Sequence, residues 1–154
     1  MTKQSVYETV EGQILAVLEG ETNTGAKMAT VSCLLQQAFP KTFYWTGFYV
    51  CDQKVNDELV VGPYQGTLGC LRIKFGRGVC GTAAAEKQTQ IVKDVHAISN
   101  HIACDAKSVS EIVVPVFDTQ GALIAVLDID STEPSAFDGI DQNCLESIVK
   151  AVFA

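Results

Sequence analysis

The sequence predicts an α+β fold, a mainly antiparallel sheet with helices packed against it. Two observations carry this reading. Apolar residues recur at helical spacing at both ends of the chain, and the middle holds two hairpin patterns of β-branched and aromatic runs joined by polar turns. With 154 residues, 47% of them hydrophobic, the chain suits a single domain over residues 1–154 around one core.

Ser5-Val-Tyr-Glu8 has the pattern of a capping box, and Val10, Ile14, Val17 and Leu18 follow at helical spacing until Gly20, which predicts a first amphipathic helix. A second spans about Thr24 to Phe39, with Met28, Val31, Leu34, Leu35 and Ala38 as its apolar side, Cys33 in the core and Pro40 as its stop. Phe43 to Val50 is aromatic and β-branched and reads as a strand, Asp52 to Asp57 as a polar turn, and Glu58 to Val61 as the strand that pairs back. Leu71-Arg-Ile-Lys-Phe75 alternates as a half-exposed strand does, and a turn at Gly76 and Gly78 leads into a short alanine-rich helix through Lys87. Gln90 to Val92 is a short strand. Lys93 to Ser110 has no period of its own, and loops of that length inside compact domains are usually functional. Glu111 to Phe117, a turn at Asp118 to Gly121, and Ala122 to Asp130 form a second hairpin, and a last helix runs from about Asp138 to Phe153, opening on acidic residues that suit its N-terminus.

Charge and composition narrow the function classes. A net charge of −7 and a pI near 4.7 argue against nucleic-acid binding, which calls for a basic stripe to neutralise phosphates. The stretch from Met1 to Gly20 has neither a basic leader nor a continuous apolar run, and nothing approaches the roughly 18 apolar residues of a membrane span. The expectation is a soluble, cytoplasmic protein. In that reducing compartment the cysteines at positions 33, 51, 70, 80, 104 and 144 are better read as transient and catalytic, or as buried small hydrophobes, than as three structural disulfides.

Three of them stand in unusual settings. Cys80 falls in the first turn of the predicted alanine-rich helix, where unpaired backbone N–H groups favour a thiolate, and Cys104 lies in the long loop within reach of solvent. Cys70 lies just upstream, while Cys51 and Cys144 read as buried hydrophobes. His96 and His101 flank the Cys104 loop, but zinc-type pairs such as Cys-x-x-Cys are absent and no metal is expected. A Cys–His nucleophile pair for acyl transfer remains open, without a second signature.

Asp128 and Asp130 alternate along an otherwise apolar strand and so share a face. They either surface into solvent or build an anionic pocket, joined by Glu111, that holds a substrate ammonium group with a raised carboxyl pKa. Trp45 and Tyr49, four apart on one strand with Gly47 between them leaving a gap, are either core or an aromatic wall for a small methyl-bearing ligand.

Taken together, Trp45-Thr-Gly-Phe-Tyr49, Gly62-Pro-Tyr-Gln-Gly66, Cys70, Gly76-Arg-Gly-Val-Cys-Gly-Thr82, Asp94-Val-His96, His101-Ile-Ala-Cys-Asp105, Ser110-Glu-Ile-Val-Val-Pro115 and Leu127-Asp-Ile-Asp-Ser131 resemble the free methionine-(R)-sulfoxide reductases, a GAF-domain family. The resemblance runs from about Phe43 to the last helix. It implies a GAF fold with a six-stranded antiparallel sheet, Cys104 as nucleophile, Cys70 as the resolving residue and Cys80 as a third redox cysteine. Glu111, Asp128 and Asp130 would line the pocket, with Trp45 and Tyr49 flanking the S-methyl group. It further implies no bound cofactor, a thioredoxin and NADPH system as external reductant, and free methionine sulfoxide as substrate. Exposed sheet edges and N-terminal helices also make a homodimer plausible. The fold alone equally permits a non-enzymatic sensor of small molecules or oxidants.

Overall fold

A computed structural model describes residues 1–102 and 104–154. In chain order the elements are α1 (Lys3–Val17), α2 (Thr24–Ala38), β1 (Trp45–Cys51), β2 (Glu58–Gln65), β3 (Arg72–Lys74), α3 (Gly78–Glu86), β4 (Gln90–Val92), β5 (Ser110–Phe117), β6 (Leu123–Ser131) and α4 (Gly139–Phe153). The six strands form one sheet in the order β3-β2-β1-β6-β5-β4, each neighbour antiparallel to the next. This is the architecture predicted from the order of elements, and the differences from it are local.

The capping box of α1 lies three residues upstream of the expected place. Thr2 caps the helix and Ser5 returns a hydrogen bond to its backbone, so Ser5 is the third helical residue and not the cap. The earlier start places Lys3 and Tyr7 on a face that meets α4. There Lys3 Nζ approaches Asp141 Oδ2 at 2.7 Å and the Tyr7 hydroxyl donates to Asp141 Oδ1 at 2.6 Å. Asp141 is buried, and these partners with the Asp138 backbone N–H satisfy both of its oxygens.

β1 begins two residues later than expected, because Phe43 is drawn into the helical layer, where it stacks on Phe39 at 4.5 Å. β2 is longer than expected and continues through Gly62 and Pro63. A register shift between Gly47 and Tyr49 lets two residue steps of β1 face three of β2, and a proline is tolerated at such a bulge. Cys144 is buried as expected. Cys33 and Cys51 are half-buried, since Cys33 lies on the flank of α2 and Cys51 closes β1 at the sheet margin.

The sheet has two unlike faces. One carries Phe48, Ile112, Val114, Leu127 and Ile129 against α1, α2 and α4, and holds the larger apolar core. Each such side chain taken fully out of water contributes about 1.5–3 kcal/mol. The other face is covered only by the short helix α3 and by loops, and it places Trp45, Tyr49, Val113 and Val126 under Cys80 and Ala83. The site occupies this second face.

Candidate active site

The two-residue period of β6 turns Asp128 and Asp130 to the same face, and pairing does the rest. Asp130 stands opposite Glu111 on β5 and opposite Trp45 on β1, so three functional side chains form one row across three strands. Asp128 stands one row further along, opposite Val113 and Gly47. Glu111 and Asp128 are buried, and α3 lowers Cys80 onto them, with Cys80 Sγ 3.9 Å from Glu111 Oε2. Asp128 Oδ1 is buried and has no hydrogen-bond partner among the described residues.

Burying acids side by side disfavours their charged forms. Asp128 is raised well above its ordinary value by burial and then by the charge of Asp130, Glu111 by burial and Asp128, and Asp130 by burial and Glu111. The wall therefore favours the protonated forms more than free carboxyls do. The same environment overturns the expectation for Cys80. Its position at the start of α3 suggested a stabilised thiolate, but burial and the neighbouring Asp128, Glu111 and Asp130 push its thiol well up instead. Desolvation and three acids outweigh one helix N-terminus, whose contribution is about 0.3–1 kcal/mol.

Trp45 and Tyr49 stack at 5.6 Å with 16° between their planes and form the side wall. The gap expected at Gly47 is filled, because Tyr64 lies opposite it on β2 and stacks on Trp45 at 4.9 Å. A Cβ at Gly47 would collide with the Tyr64 Cα and Cβ. Gly69 matters for the same kind of reason. A Cβ there would stand 3.0 Å from Trp45 and from the Tyr49 hydroxyl, so any side chain would press on the rings where the chain delivers Cys70 beside them.

Cys70 and Cys104 are joined by a disulfide with Cα atoms 5.4 Å apart, inside the usual span for such a bond. Asp105, next to Cys104, ties the two cysteine loops together. Its Oδ2 accepts from the Thr67 hydroxyl at 2.6 Å and the Tyr44 hydroxyl at 2.8 Å, and its Oδ1 accepts from Lys107 N–H at 2.9 Å. Thr67 in turn accepts the indole N–H of Trp45 on its carbonyl, which links the clamp to the aromatic wall. The Thr67 bond, ahead of the others, holds the Asp105 carboxyl below the usual aspartate value.

Together these walls form a narrow pocket that opens to solvent, lined by Trp45, Tyr49, Cys80, Cys104 and the three acids among others. His101 also lines it, with its pKa lowered by burial and then by His96, whereas His96 pairs with Asp94 at the surface. Among the described residues, the side chains whose ligand atoms converge closely enough to hold a cation are Cys80, Glu111 and Asp128, not the histidines of the loop.

The GAF domain model matches residues 35–152. Free methionine-R-sulfoxide reductase of Escherichia coli is 43% identical over 149 residues, covering 97% of this chain and 87% of that protein. GAF domain-containing protein A of Dictyostelium discoideum is 45% identical over 149 residues, 97% of this chain and 91% of its own length. Among solved structures, free methionine-R-sulfoxide reductase from Neisseria meningitidis in complex with its substrate superposes with a TM-score of 0.93 at 44% identity, covering 99% of this chain and 89% of that one. The chain is a GAF-domain protein of the free methionine-R-sulfoxide reductase family.

For a member of this reductase family, Cys70, Cys80, Cys104, Glu111, Asp128, Asp130, Trp45 and Tyr49, picked out from sequence, all converge on one cavity and its rim. Sequence reasoning gave no role to the scaffold around them: Tyr64 and Asp105, which appear only within longer motifs, and Gly69 and Thr67, which it passed over. Gly69-Cys70 and Cys104-Asp105 are adjacent pairs, so the signal was present as neighbours of cysteine. Their partners, Trp45 and Tyr49 of β1 for Gly69 and Tyr44 and Thr67 for Asp105, lie far off in the chain, which no local pattern reports.

Proposed function

We propose that the chain reduces free L-methionine (R)-sulfoxide to methionine, with Cys104 as the attacking thiol. The observation that carries this reading is the Cys70–Cys104 disulfide at the rim of a cavity walled by three clustered acids, whose pKa values burial raises, and a stacked aromatic pair. The relatives' names support the choice of substrate.

The chemistry follows from the placement. A sulfoxide sulfur becomes electrophilic once its oxygen is protonated or hydrogen-bonded, and a carboxyl held in its acid form supplies that proton at neutral pH. The Cys104 sulfur attacks the sulfoxide sulfur to give a four-coordinate adduct, in which the oxygen passes to the Cys104 sulfur as the substrate S–O bond and the new S–S bond both break. The thiol proton ends on that oxygen, leaving Cys104 as its sulfenic acid, and methionine departs. Cys70 then attacks the Cys104 sulfenic sulfur and expels water, forming the disulfide. Cys80, buried beneath the acids with a raised pKa, is the weaker candidate for that second step. A dithiol protein of the thioredoxin type, reduced by NADPH, restores both thiols by exchange. The electrons come from thiols throughout, so this scheme draws on no bound cofactor.

The acids also account for a preference for the free amino acid. A substrate ammonium gives one carboxyl the counter-charge it needs to ionise in a buried wall, and a peptide-bound residue cannot. The stacked Trp45 and Tyr49 rings suit the S-methyl group.

A coupled assay with thioredoxin, thioredoxin reductase and NADPH tests the proposal. Turnover is expected on free methionine-R-sulfoxide, with none on the free S epimer or a peptide-bound R-sulfoxide, and Cys104→Ser is expected to lose multiple turnover. Normal multiple turnover by Cys104→Ser would overturn the assignment of the nucleophile. Stoichiometric oxidation that then stops, with the reductant system competent, would favour an oxidant sensor.

A further inference from the structure

Glu111, Asp128 and Cys80 each contribute one ligand atom to a cluster in which these atoms lie within 4.8 Å of one another, and all three residues are buried. Cys80 Sγ stands 3.9 Å from Glu111 Oε2. A tetrahedral zinc ion with bonds of about 2.3 Å to sulfur and 2.0–2.2 Å to oxygen sets a sulfur-to-oxygen edge of about 3.6 Å. Small side-chain shifts therefore close the set. Asp128 Oδ1 is an independent pointer, since it is buried, lines the cavity and lacks a hydrogen-bond partner among the described residues.

An ammonium group would account for the unpartnered carboxylate oxygen but gains nothing from a thiol beside it. One sulfur and two carboxylate oxygens make a donor set that suits zinc and its thiophilic relatives, where magnesium and calcium take oxygen alone. We propose that Cys80, Glu111 and Asp128 form a binding site for a zinc-class divalent cation, which competes with the amino-acid substrate and so inhibits the enzyme. The binding half stands on the cluster geometry, and the inhibition half rests on the proposed reductase function.

Binding is an exchange of protons for metal, with no change of oxidation state. The cation takes the sulfur and carboxylate lone pairs, and the thiol and carboxyl protons leave to solvent. A divalent charge offsets the repulsion among anions that otherwise keeps the cluster protonated. Asp130, paired with Glu111 across β5 and β6, is placed as the outer partner that orients a ligand. Cys80 is free when Cys70 and Cys104 are bonded, so the site exists in the oxidised protein, where the other two sulfurs of the cavity cannot ligate.

The test is calorimetric titration of zinc chloride into the oxidised full-length chain, repeated with cobalt(II). One zinc per chain is expected, with a near-ultraviolet sulfur-to-cobalt band and an apparent affinity that falls as free methionine is added. Cys80→Ala is expected to weaken zinc by more than ~100-fold, since even outer partners are worth roughly 10–100-fold. Cys33→Ser and Cys51→Ser are expected to leave it unchanged. Glu111→Gln, which keeps the shape of the side chain, serves if Cys80→Ala does not fold, and the cobalt band reads thiolate ligation in the unaltered chain. No zinc binding, unchanged binding in the folded Cys80→Ala, or the absence of the cobalt band would overturn the site, and indifference to methionine would overturn the competition. A chain that turns over methionine-R-sulfoxide but ignores zinc refutes this inference alone. One that binds zinc and is silent on the sulfoxide refutes the reductase reading and with it the inhibition half, and leaves the binding site standing.

Discussion

Asp128 is a residue whose usefulness costs stability. Its native pKa is raised by burial and by Asp130, while the unfolded chain releases that proton near the ordinary value of about 3.9. Below that value both states are protonated. As pH rises from there through the raised native value, the unfolded state holds fewer protons than the native one, and stability falls. Asp128→Asn removes this penalty while keeping the shape of the side chain. It is expected to raise the melting temperature at pH 8 by ~2–6 °C with little gain at pH 4, and to lower kcat/KM on the free sulfoxide by at least ~100-fold. Melts at both pH values with one activity assay decide it, and equal melting behaviour of the two proteins at pH 8 refutes the account. Cys70→Ser probes the opposite end of the cavity. One methionine is expected per chain followed by arrest in thioredoxin-driven turnover, with a Cys104 sulfenic acid trapped by a dimedone-type reagent, and sustained turnover would assign resolution to Cys80.

At the scale of elements, the site depends on how loops are pinned to strands. Asp105 joins the Cys104 loop to Thr67 and Tyr44, hence to the loop bearing Cys70. Asp105→Ala is expected to slow disulfide closure by about 10–100-fold, as a misplacement of ~1 Å can. Sulfenic acid would live longer, KM would stay unchanged, and Asp105→Asn, which keeps an acceptor oxygen, would recover part of the rate. An unchanged closure rate in rapid-mixing experiments on Asp105→Ala removes the clamp from the mechanism. The order of helices and hairpins was legible because each has its own period, as in Leu71 to Phe75 or the apolar face of α2. The capping box was misplaced because Thr2 and Ser5 are both good caps, and the choice between them is made by Asp141, far away on α4. The length of β2 was missed because Gly62-Pro63 reads locally as a stop, whereas the bulge opposite Gly47 absorbs it.

On the scale of the whole molecule, one sheet divides its labour between two faces. α1, α2 and α4 build the main core on one, which frees the other to carry acids, sulfur and a cavity. The candidate residues were legible as types, yet the environment that reverses the expectation for Cys80 was not, because Glu111 and Asp128 reach it only through the sheet. The disulfide spans 34 residues and encloses β3, α3 and β4, the elements that cover this second face. By chain entropy, closing a loop of that length restricts the unfolded state by about 3–4 kcal/mol. If the native loops meet without distortion, that restriction appears as native stability, and the oxidised chain melts roughly 6–15 °C above the reduced one. The expected increment disappears in Cys70→Ser, in which no such bond forms. Calorimetry with and without reductant measures it. A difference under ~2 °C would mean that the folded protein distorts to bring Cys104 to Cys70, and the Asp105 clamp would then have to be read as holding the two loops apart in the reduced enzyme instead of presenting one to the other.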